Sequence, residues 1–492
     1  MGTPNALWRL LTAATLAPIV VLAPLGCWSS ADSTGPANLA PDVVITSPLR
    51  GQVFQIGDTV PIIAEASDAD GRVLIVRLYI DGEQRGEFYR PPYALYWDTE
   101  NEPFRYHRIR AVAVDDRGRE SAAFVDIHVA WTYTPPQETD DGWETADLAD
   151  VGISLEPLAE LIERLRTLPD TLVHGILIIK DRKLVFEEYF RGIKYTGTET
   201  IQFDRRTIHN IASITKTVTS ALLGIAIDRG LIESVDLPAH TFFPEIEEFK
   251  SDGKEEITLE HLITMTSGLE WNQNAYDLRD PRNDIVLFYT APNPIEYYVS
   301  RPLVAAPGTF FAYSEASINT VARAIERASG VELDGFAQEF LFSPLGISRV
   351  LWLRISPGYW VWASGNLEMT PRDMAKFGQL YLDGGVWAGQ QVVSSEWVEA
   401  STSPHAWSGW SGYGYTWWLG YLSGLPAYWG SGLGGQKIYV VPDLALVVVI
   451  TGGSYWVPAV TTPDYMMDDY ILPAVQGTAT MAVSPSASSE GN

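Results

Sequence analysis

Ile211-Ala212-Ser213-Ile214-Thr215-Lys216 opens a small-residue, apolar stretch that runs to Gly230. Written as a helix, it sets Ser213 and Lys216 three residues apart and so on one face. A serine hydroxyl is a weak nucleophile until a base stands within hydrogen-bond reach, and a lysine serves as that base when burial lowers its pKa. Val218, Leu222 and Ile225 recur behind Lys216 at helical spacing and would enclose its stem. A second Ser-x-x-Lys, Ser251-Asp252-Gly253-Lys254, acts as a control: it sits in a polar, glycine-containing run and predicts a solvated loop. Lysine is scarce, eight in 492 residues, so one set inside an apolar helix start stands apart from casual surface charge. The competing reading of these six residues is a serine near a helix N-terminus beside a lysine whose head reaches water.

The chain is long enough for more than one domain, and its 46% hydrophobic content reads as globular. A net charge of −27 argues against nucleic acid as a partner, because phosphate binding needs a basic surface. Cys27 is the one cysteine, so no intrachain disulfide and no cysteine-based metal site can form. Ahead of it, Leu10 to Leu25 is an apolar run broken by Pro18 and Pro24, which has the layout of a secretory signal and is too short for a membrane span. Pro24-Leu25-Gly26-Cys27 resembles a bacterial lipoprotein junction, apart from Pro24 where a leucine is usual. Residues 1–26 are therefore expected to be a signal peptide and Cys27 a lipidation site. The alternative is an ordinary cleaved signal with an incidental cysteine. The implied location is the periplasm or the outer membrane and cell surface, with the membrane reached through the lipid.

Residues 27–41 read as a flexible tether. From 42 to 131, short β-type runs (Val43–Ile45, Thr59–Ala66, Val73–Ile80, Tyr93–Trp97, Ile109–Val114, Phe124–Val129) alternate with turns, which predicts a sandwich of roughly seven strands. This stretch resembles bacterial immunoglobulin-like domains, and Asp68-Ala69-Asp70 within it reads as a hairpin turn in preference to a calcium loop. Residues 132–150 are rich in Pro, Asp and Glu and read as a linker. Helix and strand signals follow: a helix from Leu155 to Leu168, a hairpin about Asp181-Arg182, the Ser213 helix, a helix from Thr258, another over Val321–Ala328, and a hairpin across Pro442-Asp443. A hairpin before the helices and one after them predict a single sheet shared by both ends of the domain. Residues 476–492 read as a disordered tail.

Five stretches in order carry a second resemblance. They are Ser213–Lys216, Ile257–Leu269, Pro307–Ser314, Asp373–Gly378 and Gly432–Gln436. Over residues 151–475 the chain resembles the serine beta-lactamase-related, penicillin-recognising family, in the class C branch that holds carboxylesterases and 6-aminohexanoate-oligomer hydrolases. The resemblance implies an α+β domain, an antiparallel sheet flanked by helices. It also implies Ser213 as nucleophile, Lys216 as its base partner and Tyr313 as a second proton-transfer group. The backbone N–H groups of Ser213 and Leu433 would form the oxyanion hole, and no cofactor or metal is called for.

Two positions depart from the family pattern. Glu315 stands where the family has asparagine, and a carboxylate beside Lys216 would hold the amine protonated. Gly430, ahead of Ser431 and Gly432, replaces the lysine or histidine that binds a substrate carboxylate. Glu315, Gly430, Ser431 and Gly432 are the expected substrate-binding positions. Of the tryptophans Trp271, Trp352, Trp360, Trp362, Trp407, Trp410, Trp417, Trp418 and Trp429, some are expected to line an apolar cleft and most to pack, with Trp271 the expected substrate-binding one. The leading expectation is a serine hydrolase that cleaves a small or peptide-like ester or amide through an acyl-enzyme. The alternatives are a DD-peptidase or beta-lactamase, and a non-catalytic envelope binding protein. The sequence leaves the oligomeric state open.

Overall fold

The computed structural model describes residues 37–100, 102–167, 172–195, 197, 199–354, 360–455 and 462–477. The expected signal peptide, Cys27, most of the expected tether and the expected tail beyond 477 lie outside these residues. One compact unit comprises the residues up to Pro48 with Ile62–Leu95 and Arg108–Val125; the other comprises Leu49–Pro61, Tyr96–His107 and the chain from Asp126 onward.

Eight strands make up the N-terminal sheets: β1 (Asp42–Ser47), β2 (Val53–Gln55), β3 (Thr59–Ser67), β4 (Val73–Ile80), β5 (Glu83–Phe88), β6 (Tyr93–Asp98), β7 (Tyr106–Asp115) and β8 (Glu120–Ala130). They form sheets of order β1-β3-β6 and β2-β8-β7-β4-β5. Val60, Ile62 and Ala64 on β3 and Val125, Ile127 and Val129 on β8 are buried while their neighbours are more exposed, the period-two signature of strands with one face turned inward. The expected hairpin turn at Asp68-Ala69-Asp70 needs correction, because β3 and β4 belong to different sheets and residues 68–72 link them. Arg117 fixes that link through an ion pair to Asp70, 3.0 Å long.

In the second unit a nine-stranded sheet runs in the order Ala406–Trp407, Gly412–Tyr413, Trp418–Leu422, Leu425–Gly432, Gln436–Val441, Leu446–Gly452, β10 (Val173–Lys180), β11 (Lys183–Tyr189) and β9 (Glu144–Thr145). The two hairpins foreseen at the ends of the domain meet at its centre, with Ile178 opposite Val448. Helices α1 (Leu155–Thr167), α2 (Thr215–Asp228), α3 (Leu259–Ile263), α4 (Asp284–Thr290), α5 (Pro294–Ser300), α6 (Glu315–Ser329), α7 (Leu333–Ala337) and α8 (Pro371–Leu382) follow in the chain. Strand alternation divides β10 between two cores. Leu177 and Ile179 pack with residues of α2 and α8, whereas Ile176 and Ile178 pack with α1 and the C-terminal segment around Met466 and Ile471. Because both faces are covered, β10 and Leu446–Gly452 are apolar almost throughout and show no alternation in sequence.

The stretch read as a linker is built into this unit. Trp143 is 3% exposed and donates to the carbonyl of Arg372, and β9 pairs in parallel with β11. The Arg372 guanidinium is itself buried. It grips Glu187 at 2.5 and 2.7 Å, Asp141 at 2.8 Å, Thr139 Oγ1 at 3.0 Å and the carbonyl of Gln137 at 3.0 Å. A second correction concerns Lys254, which is 8% exposed and donates to the Val299 carbonyl at 2.7 Å, so its side chain turns inward while Ser251, Asp252, Glu255 and Glu256 around it meet solvent.

Two predictions follow from these buried groups. Arg372→Met should cost about 3–5 kcal/mol in chemical denaturation, because it leaves Glu187 buried without its cation; a loss under 1 kcal/mol would contradict the clasp. The second concerns His174 on β10 and His209, which stack about Phe203. Burial pushes His174 down to about 3, with His209 adding to the effect, and pushes His209 down to about 4. Both folded values lie below the unfolded value, so above about pH 6.5 neither ring affects stability. As pH falls from there, the unfolded chain takes protons first, and each ring removes about 1.4 kcal/mol of stability per pH unit. The His174→Gln/His209→Gln double variant should show a flatter loss between pH 6.5 and 4, whatever its stability at neutral pH.

Candidate active site

The region around Ser213, the expected nucleophile, is a strand, a sharp turn and a helix. His209-Asn210 pairs with Leu367–Met369, and Ile211 N–H continues the pairing to the Leu367 carbonyl at 2.9 Å. Ala212 then takes φ +48°, a left-handed conformation that an L-residue with a β-carbon adopts only at a cost. Asn210 stabilises the turn: its Oδ1 accepts from Ala212 N–H at 2.8 Å and its Nδ2 donates to Asn366 Oδ1 at 2.7 Å. A short 3₁₀ turn, Ala212–Ile214, carries Ser213 directly into α2.

Lys216, in the first turn of α2, is 1% exposed. Its Nζ donates to Ser213 Oγ at 3.0 Å and to the Ser364 carbonyl at 2.8 Å. It also stands 4.9 Å from the centre of the Tyr313 ring. Tyr313 precedes Ser314, which caps α6 by accepting from Ser317 N–H. Ser213, Lys216 and Tyr313 therefore meet, although 97 residues separate Lys216 from Tyr313 (313 − 216).

Glu315 is occupied elsewhere. Its Oε2 accepts from the Tyr289 hydroxyl at 2.9 Å, from Trp362 Nε1 at 3.2 Å and from Ser364 Oγ at 3.2 Å. Burial, reinforced by this carboxylate, holds the Tyr289 phenol well above its ordinary pKa, so it remains a donor. Asn319, one helical turn after Glu315, donates to Ser364 Oγ at 3.0 Å and to Tyr289 at 3.2 Å. Among the described residues no carboxylate lies within 4 Å of Lys216 Nζ. The network positions Ser364, whose carbonyl anchors the lysine. Tyr289, Asn319 and Ser364 escape sequence reasoning, since Ser364 has no motif of its own. The one available signal was the i, i+4 spacing of Glu315 and Asn319 on a single helix face.

Gly430, Ser431 and Gly432 end the strand Leu425–Gly432. A β-carbon on Gly432 would stand 2.3 Å from the Ile211 carbonyl oxygen, so only glycine lets the strand approach the nucleophile turn this closely. Leu433 follows immediately and is half-exposed. At Gly430 a β-carbon would meet Ile214 and Thr217 at 3.4–3.6 Å, so this position faces the start of α2. Tyr455 links both sides of the site: its hydroxyl donates to the Asn210 carbonyl at 3.2 Å and accepts from Gln436 Nε2 at 3.0 Å. Trp271 is buried, with its N–H given to Gln273 at 2.8 Å, and contributes to the wall of a cleft that also contains Tyr313. His261 serves structure, since its Nδ1 accepts from Thr258 N–H in the capping box of α3.

Residues 161–456 match the beta-lactamase family and residues 41–111 match the bacterial Ig domain. The chain is similar to the 6-aminohexanoate-dimer hydrolase of Paenarthrobacter ureafaciens, at 23% identity over 62% of this chain and 79% of that protein. Among solved structures, a candidate 6-aminohexanoate-dimer hydrolase from Bacillus anthracis superposes with a TM-score of 0.54 at 22% identity, over 70% of this chain and 90% of that one. The octameric penicillin-binding protein homologue from Pyrococcus abyssi superposes with a TM-score of 0.51 at 22% identity, over 65% and 77%. These superpositions establish the fold. The family match spans well over half of the 492 residues and includes Ser213, Lys216, Tyr313 and Gly430–Gly432. The chain accordingly belongs to the beta-lactamase family, as a serine hydrolase preceded by a bacterial Ig domain.

Proposed function

We propose that the protein hydrolyses a neutral ester or amide through an acyl-enzyme on Ser213. The observation that carries this reading is the 3.0 Å contact between Ser213 Oγ and a lysine amine that is sealed from water. Lys216 takes the hydroxyl proton across that contact as Oγ bonds to the substrate carbonyl carbon. The oxyanion that forms is held by the backbone N–H groups of Ser213 and Leu433, which the Gly432–Ile211 approach brings toward one another. The proton passes to the departing oxygen or nitrogen through Tyr313, and the carbonyl–leaving-group bond breaks. Water then adds to the acyl carbon, gives a proton back along the same route, and releases the acid with Oγ–H restored.

The fixed Ser364 carbonyl keeps Lys216 in place, and the three donors on Glu315 keep its carboxylate away from the amine. The preference for a neutral substrate rests on Gly430. A lysine or histidine there would add a hydrogen bond to a charged group, worth about 1.5–3 kcal/mol, and without it a penicillin or cell-wall peptide carboxylate lacks that partner.

A fluorophosphonate probe should label Ser213 alone. Ser213→Ala should abolish ester turnover with an unchanged circular dichroism spectrum, and Lys216→Ala should lower kcat by about 10²–10⁴. Label on Ser251, or turnover surviving in Ser213→Ala, would end the assignment. In a substrate panel, neutral short-chain esters should exceed penicillins in kcat/KM; the reverse order would favour the beta-lactamase and DD-peptidase reading.

A further inference from the structure

The cleft beside Tyr313 has about 440 Å³ of free volume, and none of the eleven residues that line it carries a formal charge. On a chain of net charge −27, an uncharged wall next to the nucleophile is a property of the site and not of the surface at large. Its apolar part is ordered. The Trp418 ring lies near-parallel to Tyr313, with centroids 6.0 Å apart and planes at 23°. Trp410 lies near-parallel on Trp418 at 4.7 Å and 22°. The three rings form a stack leading outward from Lys216, and its last member, Trp410, is 64% exposed.

An exposed tryptophan is usually free to swing, but Trp410 sits in a pinned turn. Ser408 N–H donates to the Ser411 carbonyl at 3.0 Å, Ser411 N–H donates to Ser408 Oγ at 3.1 Å, and Ser411 Oγ ties the turn to the Leu419 carbonyl at 2.7 Å. The turn is therefore held in place and the ring rests on Trp418, with apolar surface facing solvent inside a cleft, the arrangement of a preformed subsite.

We propose that Trp410 is the outer platform of a subsite for a flat aromatic group carried by the neutral ester or amide. This inference rests on the acyl-enzyme reading above and adds the substrate class to it. A planar ring laid on Trp410 continues the stack and gains from ring–ring contact beyond its buried area, whereas a saturated ring of the same size gains area alone. The difference corresponds to roughly a three- to ten-fold preference in kcat/KM. A charged group would lose its hydration there with no opposite charge to meet. The neutral amides of Asn272, Gln273 and Asn274, which also line the cleft, provide hydrogen bonds without charge.

The test uses the whole protein and matched pairs of esters followed by pH-stat. Methyl phenylacetate against methyl cyclohexylacetate places the ring on the acyl side, and benzyl acetate against cyclohexylmethyl acetate places it on the leaving side. In one of the pairs the wild type should favour the phenyl member about three- to ten-fold. Trp410→Ala should bring that ratio close to one, and Trp410→Phe should keep part of it. Trp407→Ala should keep all of it, since Trp407 is as exposed as Trp410 but does not line the cleft. Equal rates for phenyl and cyclohexyl members in both pairs, or a phenyl preference that survives Trp410→Ala, would overturn the subsite and leave the acyl-enzyme reading standing. No turnover of any ester together with no fluorophosphonate label on Ser213 would overturn both.

Discussion

An amine enclosed by apolar side chains must have acceptors, and much of the catalytic unit is arranged to supply them to Lys216. One is Ser213 Oγ, the proposed nucleophile, and the other is the carbonyl of Ser364, more than a hundred residues further along the chain. Breaking either contact leaves a polar group without a partner in a place where water does not compensate. The serine therefore presents its oxygen to the amine because the helix start is buried, and the helix start can be buried because both acceptors are in position. Packing and chemistry share the same atoms here.

The same economy makes Glu315 compatible with the proposed role of Lys216 as base. A free carboxylate near Lys216 would compete with Ser213 for its protons. Tyr289, Trp362 and Ser364 satisfy Oε2 instead, and the Ser364 that donates to Glu315 through its side chain is the residue that anchors Lys216 through its carbonyl. A group that would be harmful if free thus becomes a brace once Oε2 is held by three donors. The strained Ala212 has a similar standing: its left-handed backbone is held by Asn210, which is itself tied to Asn366 and Tyr455.

Beyond the pair, the sheet sets how closely the strand Leu425–Gly432 can approach the Ser213 turn. The central strands are covered on both faces, by α2 and α8 on one side and by α1 and the C-terminal segment on the other. That burial fixes their register, because slipping by one residue would exchange the two cores. With the register fixed, the strand Leu425–Gly432 ends against Ile211, and Gly432 removes the one atom that would hold it off.

Local periodicity and motif spacing were legible without coordinates. The Ser213 helix, the hairpin about Asp181-Arg182, the terminal hairpin and six of the eight N-terminal strands follow from apolar residues recurring at 3.6 or 2 or in short buried runs. Ser213, Lys216 and Tyr313 were legible in another way, as candidates that the family resemblance singled out at motif positions. Other features depended on contacts between distant residues. The strand Glu83–Phe88 is polar and exists through its pairing with Val73–Ile80; residues 137–145 look like a linker and are held by Arg372; α6 begins at Glu315, well before the Val321 at which its apolar pattern becomes regular. Ser364, Tyr289 and the Trp410–Trp418–Tyr313 stack likewise have no local signature. A pattern in sequence reports what a segment can bury, while the acceptor that a buried amine finds, or the ring against which another ring stacks, is supplied by a remote part of the chain and is decided only when the fold closes.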